Sequence, residues 1–151
     1  MRLPLTCFQC FYESSKPIQK VWIEYQDSNL YEYTCPNGHQ AATILKQQKL
    51  EILFDIGVNA ILDGYYREAV ASFASSLERF YEFFIKVKLT HDQINSDAID
   101  KAWKDVSRQS ERQLGAFILL YTQTFGEAPS LLNQNKVNFR NEVIHKGKIP
   151  S

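Results

Sequence analysis

Three polar side chains near the carboxyl end of the chain have the types and the spacing that phosphate chemistry needs. Arg140 and Asn141 are followed by His145, directly before Lys146 and Gly147. An arginine binds a phosphate and stabilises the charge that builds on it, while an imidazole moves protons near neutral pH. These groups can cleave RNA without a metal ion, because the ribose 2′-hydroxyl supplies the nucleophile. Arg140, Asn141 and His145 are therefore the candidate catalytic residues.

The same motif also has a purely structural interpretation. Positive side chains near a helix carboxyl terminus interact favourably with the helix dipole, and Arg-x4-His is a spacing that chance produces often. On a regular helix Asn141 and His145 share one face, whereas Arg140 and His145 lie about 140° apart. Arg140 could still reach His145 through its long side chain, or where the helix frays before Gly147. Spacing alone leaves both interpretations open.

A local cluster of positive charge surrounds this motif. The whole chain balances 17 Lys and Arg against 17 Asp and Glu, so bulk charge does not predict nucleic-acid binding. Toward the carboxyl terminus, however, Lys136, Arg140, Lys146 and Lys148 face one anion, Glu142. We expect the three lysines to contact RNA if the motif is catalytic. A solvated surface explains the cluster equally well.

Three cysteines and a histidine near the amino terminus have the spacing of a metal site. Cys7 and Cys10 form one close pair, and Cys35 and His39 form a second. Four such ligands match what tetrahedral Zn²⁺ prefers in structural sites, and they leave no position open for a substrate. The alternative is a set of buried thiols beside an unrelated histidine. The pattern favours a structural Zn²⁺ site, which a segment with so little apolar material needs in order to fold.

Two strands and a turn are predicted between the ligand pairs. Residues 20–25 and 30–34 have strand character, with a connecting turn at 27–29, and 36–38 form a tight turn between Cys35 and His39. Two metal-binding turns joined by a hairpin resemble a zinc ribbon. We therefore predict a first domain, residues 1–45, that is a small zinc-ribbon β-hairpin module.

Helical periodicity dominates from residue 46 onward, which predicts a second domain over residues 46–151. Apolar residues spaced by three and four predict four or five helices with short connections. A dense aromatic run, 80–84, places the second of them at the centre of the bundle or at a dimer contact. The predicted fold is mainly α, a four- to five-helix bundle. Its helices span about 46–63, 65–89, 98–106, 114–124 and 131–146, the last capped by Ser130 and ended by Gly147.

Composition favours a soluble, cytoplasmic protein. Apolar residues make up 44% of the chain and aromatic residues 13%, enough for a packed core. No apolar run approaches the roughly 18–20 residues that cross a bilayer, and the amino terminus lacks a signal-peptide pattern. We therefore expect no membrane partner.

Other catalytic patterns find little support in the chain. It has no Gly-rich phosphate loop, no Gly-x-Ser-x-Gly motif and no His-Glu-x-x-His helix. Glu78 and Glu82 lie one turn apart, but the histidines of a di-metal site do not accompany them. His91 follows the second helix in a polar context, and we expect it to face solvent.

The helical domain resembles the HEPN family. The resemblance covers residues 46–151 and rests on a last helix that carries Arg140-Asn141-x3-His145, followed by Lys146-Gly147. The family pattern is Arg-x4–6-His with a polar residue directly after the arginine. Residues 76–81 of the second helix are also similar, although less diagnostic. In the family, further chain usually follows the motif, whereas this chain stops at Ser151, so a truncated product and a compact variant are both open.

Membership of that family would imply a function. HEPN proteins are known as dimeric, metal-independent endoribonucleases of toxin–antitoxin, CRISPR and anti-phage systems. The resemblance implies a homodimer with a composite site made by two copies of Arg140 and His145. It also implies products that end in a 2′,3′-cyclic phosphate, and a possible regulating protein partner or antitoxin.

Two further interpretations remain open. Many HEPN-like domains are inactive modules that bind nucleic acid or protein, and a zinc ribbon is a common recognition element. The chain could also be a small regulatory protein whose ribbon docks on an assembly through Tyr25, Tyr31 and Tyr33. Strand alternation instead favours half-buried positions for these tyrosines.

Overall fold

The chain folds into two compact units. The computed structural model describes residues 2–13, 17–26 and 28–150. The first unit is Met1–Gln47 and the second is Gln48–Ser151. This division lies two residues beyond the boundary at residue 45, which is predicted from the start of helical periodicity. Within the described residues the structure is mainly helical, with small sheets in the first unit, as the sequence predicts.

The described residues of the first unit form two two-stranded antiparallel sheets. Its elements are β1 (Arg2–Thr6), α1 (Phe8–Tyr12), β2 (Lys20–Glu24), β3 (Leu30–Thr34) and β4 (Gln40–Ile44). Strand β1 pairs with β2, and β3 pairs with β4. The two predicted strands exist, but the prediction that they pair with each other as one hairpin is wrong. The sequence analysis also missed β1, β4 and the short helix α1.

The observed pairing places each ligand pair at the closed end of its own hairpin. The Cys7 N–H donates to the carbonyl of Gln19 at 3.0 Å, which continues the β1–β2 ladder to the first pair. The Cys35 N–H donates to the carbonyl of His39 at 2.9 Å, which closes the β3–β4 loop around the second. Loop length does not explain this pairing, because residues 25–29 between β2 and β3 are as few as residues 35–39 between β3 and β4, and the β1–β2 connection is longer and contains α1.

The predicted turn at 27–29 lies partly outside the described residues, because Asp27 is not described. The N–H of Asn29 donates to the carbonyl of Gln26 at 3.1 Å, and Asn29 has a φ of 54°. Asparagine tolerates this left-handed conformation better than most residues. The chain therefore turns here, but between strands of different sheets.

Five helices form the described part of the second unit. They begin and end close to the predicted positions: α2 (Lys49–Leu62), α3 (Tyr66–His91), α4 (Ser96–Val106), α5 (Ser110–Phe125) and α6 (Gln134–His145). Asn95 caps α4, since its side chain accepts a hydrogen bond from the N–H of Asp97 at 2.9 Å. None of the helices described is long and apolar enough to cross a membrane.

Helix α3 is the central element, as its aromatic run predicts, and it packs against all four other helices of this unit. Its buried side chains Tyr81 and Ile85 contact Phe117 of α5. The rings of Tyr81 and Phe84 lie 4.7 and 5.2 Å from that of Phe117, centroid to centroid. Such aromatic packing adds to the burial of apolar area and fixes the angle between the two helices.

Helix α2 packs on α3 through a different face than its apolar residues suggest. The buried positions of α2 are Ile52, Gly57 and Ala60, because the ring of Phe73 on α3 occupies the space beside Gly57. Three larger apolar residues of α2 are more than a third exposed: Phe54, Val58 and Ile61. The ring of Phe54 still packs on α3, 5.2 Å from that of Phe73, centroid to centroid. The small residue at position 57 lets the two backbones approach.

Helix α6 begins three residues later than predicted. Asn133, not Ser130, is its N-cap, and its side chain accepts a hydrogen bond from the N–H of Lys136 at 3.1 Å. The predicted end is confirmed, because Gly147 adopts a φ of 70° directly after the capping residue Lys146. The side chain of Val143 is fully buried and anchors the helix in its unit.

Candidate functional site

The first candidate site is the cluster of Cys7, Cys10, Cys35 and His39. The four potential ligand atoms all lie within 4.8 Å of one another, as the spacing in the sequence predicts. The cysteines are buried in the first unit, and the side chain of His39 is only 11% exposed. None of the three cysteines is in a disulfide. The two hairpins thus bring together four groups that the chain separates by up to 32 residues.

The distances in this cluster suit one tetrahedral ion. The Cys10 and Cys35 sulfurs are 3.7 Å apart, and Nδ1 of His39 lies 3.2 Å from the Cys10 sulfur and 3.7 Å from that of Cys7. A tetrahedron with metal–sulfur bonds of about 2.3 Å has sulfur–sulfur edges of about 3.8 Å. The ligand atoms therefore stand at nearly the separation that a bound ion imposes, so the arrangement is compatible with a metal site.

Hydrogen bonds to sulfur prepare the cluster for a cation. Burial opposes ionisation of Cys35, but backbone N–H groups of His39 and Asn37 and the neighbouring thiols lower its pKa to about 7. Burial raises the pKa of the Cys10 thiol, although Asn37 Nδ2 donates to its sulfur at 3.2 Å. Three neighbouring thiolates repel one another in a buried site, and a dication removes that repulsion.

Glu13 also belongs to this site, although no sequence pattern predicted it. Its Oε2 lies 3.1 Å from Nε2 of His39, on the side of the ring that faces away from the sulfurs. Glu13 directly follows α1, a helix that periodicity could not predict because it has only five residues. A carboxylate placed shortly after a Cys-x2-Cys pair is the only sequence signal that could have identified it.

The second candidate site surrounds Arg140 in the helical unit. Its guanidinium donates to Oε1 of Glu78 on α3 at 3.0 Å, and to Oδ1 of Asn141 at 3.0 Å. The side chains of Arg140 and Glu78 are 29% and 28% exposed. Glu78 is 62 positions earlier in the chain, and the sequence analysis considered it only as a metal ligand. The pairing fixes the direction of the arginine side chain.

The structure places Asn141 with Arg140 and leaves His145 apart from both. His145 is the last residue of α6 and is exposed. No hydrogen bond or ion pair joins it to Arg140 or Asn141 within the described part of the chain. One chain therefore supplies an oriented guanidinium and an accessible imidazole on the same helix, but does not bring them into contact.

The positive cluster is partly neutralised within the chain. Lys148 Nζ lies 2.7 Å from Glu142 Oε2 and 5.4 Å from the ring centre of Phe139. Its hydrogen bond lowers the pKa of the Glu142 carboxyl. Among the described residues no ion pair is formed by Lys136 or Lys146, and both are exposed. Of the three lysines expected to contact RNA, these two keep their charge available.

The exposure of His91 and of the three tyrosines near the metal-ligand pairs can be compared with the sequence predictions. His91 is 82% exposed, as expected, and its Nδ1 lies 3.3 Å from Asp92 Oδ1. Tyr31 is buried, and its hydroxyl accepts a hydrogen bond from the Gln26 N–H at 2.9 Å. Tyr25 and Tyr33 are half-buried, as strand alternation predicts.

Comparison with known proteins finds no matching family model, no matching curated protein and no matching solved structure.

Proposed function

We propose that the helical unit cleaves RNA, with Arg140 and His145 as the reacting groups. The observation that carries this proposal is the orientation of Arg140 by Glu78 and Asn141. A guanidinium has five N–H donors, and the two acceptors here occupy two of them. The others remain for a phosphate, and an arginine already held in place loses less entropy when it binds.

The proposed reaction needs no external nucleophile and consumes no water. A neutral His145 accepts the proton of the ribose 2′-hydroxyl while the 2′-oxygen attacks the adjacent phosphorus. The bond from phosphorus to the 5′-oxygen breaks, and an imidazolium gives a proton to the leaving oxygen. Arg140 binds the phosphate and stabilises the charge of the pentavalent transition state. The products carry a 2′,3′-cyclic phosphate and a 5′-hydroxyl.

We propose that two chains complete the site. The reaction has two proton transfers, and the chain has one histidine on α6. Apolar side chains near the motif are exposed in the single chain, with Leu132 at 50%, Phe139 at 39% and Ile149 at 82%. An apolar surface of this kind favours association, and it would bring two copies of His145 toward one phosphate.

The ion pair also favours a second candidate function. Because the Glu78 carboxylate offsets the charge of Arg140, the site could bind a phosphate backbone or hold a dimer without turnover. The protein would then be a nucleic-acid- or protein-binding module. This candidate predicts RNA binding with no cleavage products, whereas the first predicts both.

The experiment compares cleavage of a labelled single-stranded RNA with that of the same strand carrying 2′-O-methyl groups throughout. We expect cleavage of the first strand only, because the second has no nucleophile. Arg140→Lys should reduce the rate roughly 100-fold, as loss of a transition-state donor does. Arg108→Lys is the matched control, since Arg108 is an exposed arginine that lies 3.4 Å from Asp105. Equal cleavage of the unmodified and the 2′-O-methyl strand would contradict the proposal. Equal cleavage rates of Arg140→Lys and Arg108→Lys would also contradict it.

We propose that the ion held by the first unit is Zn²⁺ and that its role is structural. Three thiolates and an imidazole fill a tetrahedral shell, and this soft ligand set suits Zn²⁺ better than Mg²⁺ or Ca²⁺. Elemental analysis of the purified protein should find about one zinc per chain, and Cys35→Ser should lose it. A folded first unit without bound metal would contradict the proposal.

A further inference from the structure

The imidazole of His39 lies between the cysteine cluster and a carboxylate. Its Nδ1 faces the sulfurs of Cys10 and Cys7 at 3.2 and 3.7 Å, while its Nε2 faces Oε2 of Glu13 at 3.1 Å. Nδ1 therefore points toward the cysteines and Nε2 toward the carboxylate. The ring cannot present Nε2 to the cluster without losing its contact with Glu13.

Glu13 is itself oriented by helix α1. Its N–H donates to the carbonyl of Gln9 at 3.0 Å, and its Oε1 accepts a hydrogen bond from Nε2 of Gln9 at 3.3 Å. The first oxygen is thus held by Gln9 and the second by His39. Because Gln9 lies between Cys7 and Cys10 in sequence, these contacts tie the carboxylate to the segment that carries the first ligand pair.

We propose that Glu13 is the positioning residue of the metal centre and that it makes His39 a ligand through Nδ1. The carboxylate accepts the N–H of Nε2, which leaves the lone pair of Nδ1 directed at the three sulfurs. Carboxylates in this position orient a histidine ligand and increase its basicity. The inference rests on the proposed zinc site and adds to it a residue outside the Cys3His set.

The direct test is the long-range ¹H–¹⁵N spectrum of the zinc-loaded full chain. Its three histidines, His39, His91 and His145, give three separable ring patterns. We expect His39 to show a protonated Nε2 and a metal-bound Nδ1. A metal-bound Nε2 at full zinc stoichiometry would overturn the role of Glu13 and leave the zinc proposal intact. A wild-type chain that takes up no zinc would overturn both.

Substitution of Glu13 measures how much its contact with His39 contributes to zinc affinity. We expect Glu13→Ala to lower zinc affinity roughly 10- to 100-fold in competition with a chromophoric chelator. Glu13→Gln, which retains an acceptor oxygen, should lie between Glu13→Ala and the wild type. Glu32→Gln is the matched control, since Glu32 is an exposed carboxylate on β3 of the same unit. Zinc affinity of Glu13→Ala equal to that of Glu32→Gln would overturn the proposal. If Glu13→Ala does not fold, the wild-type spectrum still decides.

Discussion

The guanidinium of Arg140 on α6 is fixed 3.0 Å from the carboxylate of Glu78 on α3. This contact connects the candidate catalytic motif to the central helix, and no motif pattern contains it. Both side chains are mostly shielded from solvent, so the pair is held more firmly than an exposed one. Glu78 also lies about one turn before Tyr81 on α3, and burial and then the carboxylate charge raise the pKa of the tyrosine.

We predict that Glu78→Ala slows RNA cleavage without weakening RNA binding. Losing the acceptor frees the arginine to sample other directions, so kcat should fall about tenfold, corresponding to about 1.4 kcal/mol of transition-state stabilisation. Removal of a negative charge beside the phosphate should leave KM unchanged or lower. Steady-state cleavage of a labelled RNA measures both parameters.

Glu82→Gln is the control for this substitution. Glu82 lies one turn from Glu78 on α3 but pairs with Arg79 and with Lys86, both on its own helix. Its variant should cleave at the wild-type rate. An equal loss of kcat in both variants would show that the helix surface in general, rather than the contact with Arg140, causes the effect.

The candidate catalytic motif and the two close pairs of the Cys3His cluster could be identified in the sequence because each is local. Cys7-x2-Cys10 lies at the start of α1 and Cys35-x3-His39 in the loop before β4, so the spacing within each pair limits how far apart its side chains can be. Glu78 and Glu13 could not be found in this way. Their roles depend on how α3 meets α6 and on how α1 directs the chain after it, and both relationships arise from packing.

The contact between α2 and α3 gives a test of packing. We predict that Gly57→Ala destabilises the second unit by roughly 1–3 kcal/mol, the usual cost of overpacking. A Cβ at this position would lie 2.6 Å from the ring of Phe73. Urea unfolding followed by circular dichroism measures the change.

In contrast to Gly57→Ala, the substitution Gly115→Ala on helix α5 should be stabilising. A Cβ at Gly115 meets no atom within 4 Å, so the variant should gain roughly 0.5–1 kcal/mol from helix propensity. Similar stabilities for the two variants would contradict the packing described for Gly57.

The start of α6 can be tested at its N-cap. Asn133→Ala should lower the free energy of unfolding by roughly 0.5–2 kcal/mol, because the N–H of Lys136 loses its side-chain acceptor. Ser130→Ala should change it little, since Ser130 lies before the helix. Thermal or urea unfolding of the two variants distinguishes the observed start from the predicted one, and the reverse order of effects would favour the latter.

The ion pair between Lys148 and Glu142 predicts a pH dependence. The hydrogen bond from Lys148 keeps the pKa of the Glu142 carboxyl below its ordinary value of 4.5. A lowered carboxyl pKa stabilises the folded state above the unfolded pKa, and this contribution is lost as pH falls through the folded pKa. The wild type should therefore have a higher free energy of unfolding than Lys148→Gln at neutral pH. The two free energies should converge as the pH falls through the pKa of Glu142.

Carboxyl ¹³C titration of Glu142 tests the cause directly. Lys148→Gln should raise the Glu142 pKa toward 4.5, and Lys146→Gln should raise it less, since Lys146 acts only through its charge at a distance. An unchanged Glu142 pKa in Lys148→Gln would show that the contact is not maintained in solution.

Apolar periodicity predicted where the helices lie better than it predicted which faces they bury. Leucine, phenylalanine and valine in α2 define a stripe, but the contact with α3 selects Gly57 and Ala60 because they allow close approach. The strands of the first unit show the same limit. Their residue types predict extended structure, but neither residue type nor the length of the connections determines the partner strand.

RNA cleavage by His145→Ala, compared with His91→Ala, tests the central claim most directly. Both histidines are exposed at the end of a helix, but only His145 follows the oriented arginine. With equal zinc content and equal oligomeric state, His91→Ala should produce 2′,3′-cyclic phosphate ends at the wild-type rate. The cleavage rate of His145→Ala should be lower than that of the wild type by at least about 100-fold, which is within the range for loss of a general acid–base group. Cleavage by His145→Ala at the wild-type rate would contradict the account.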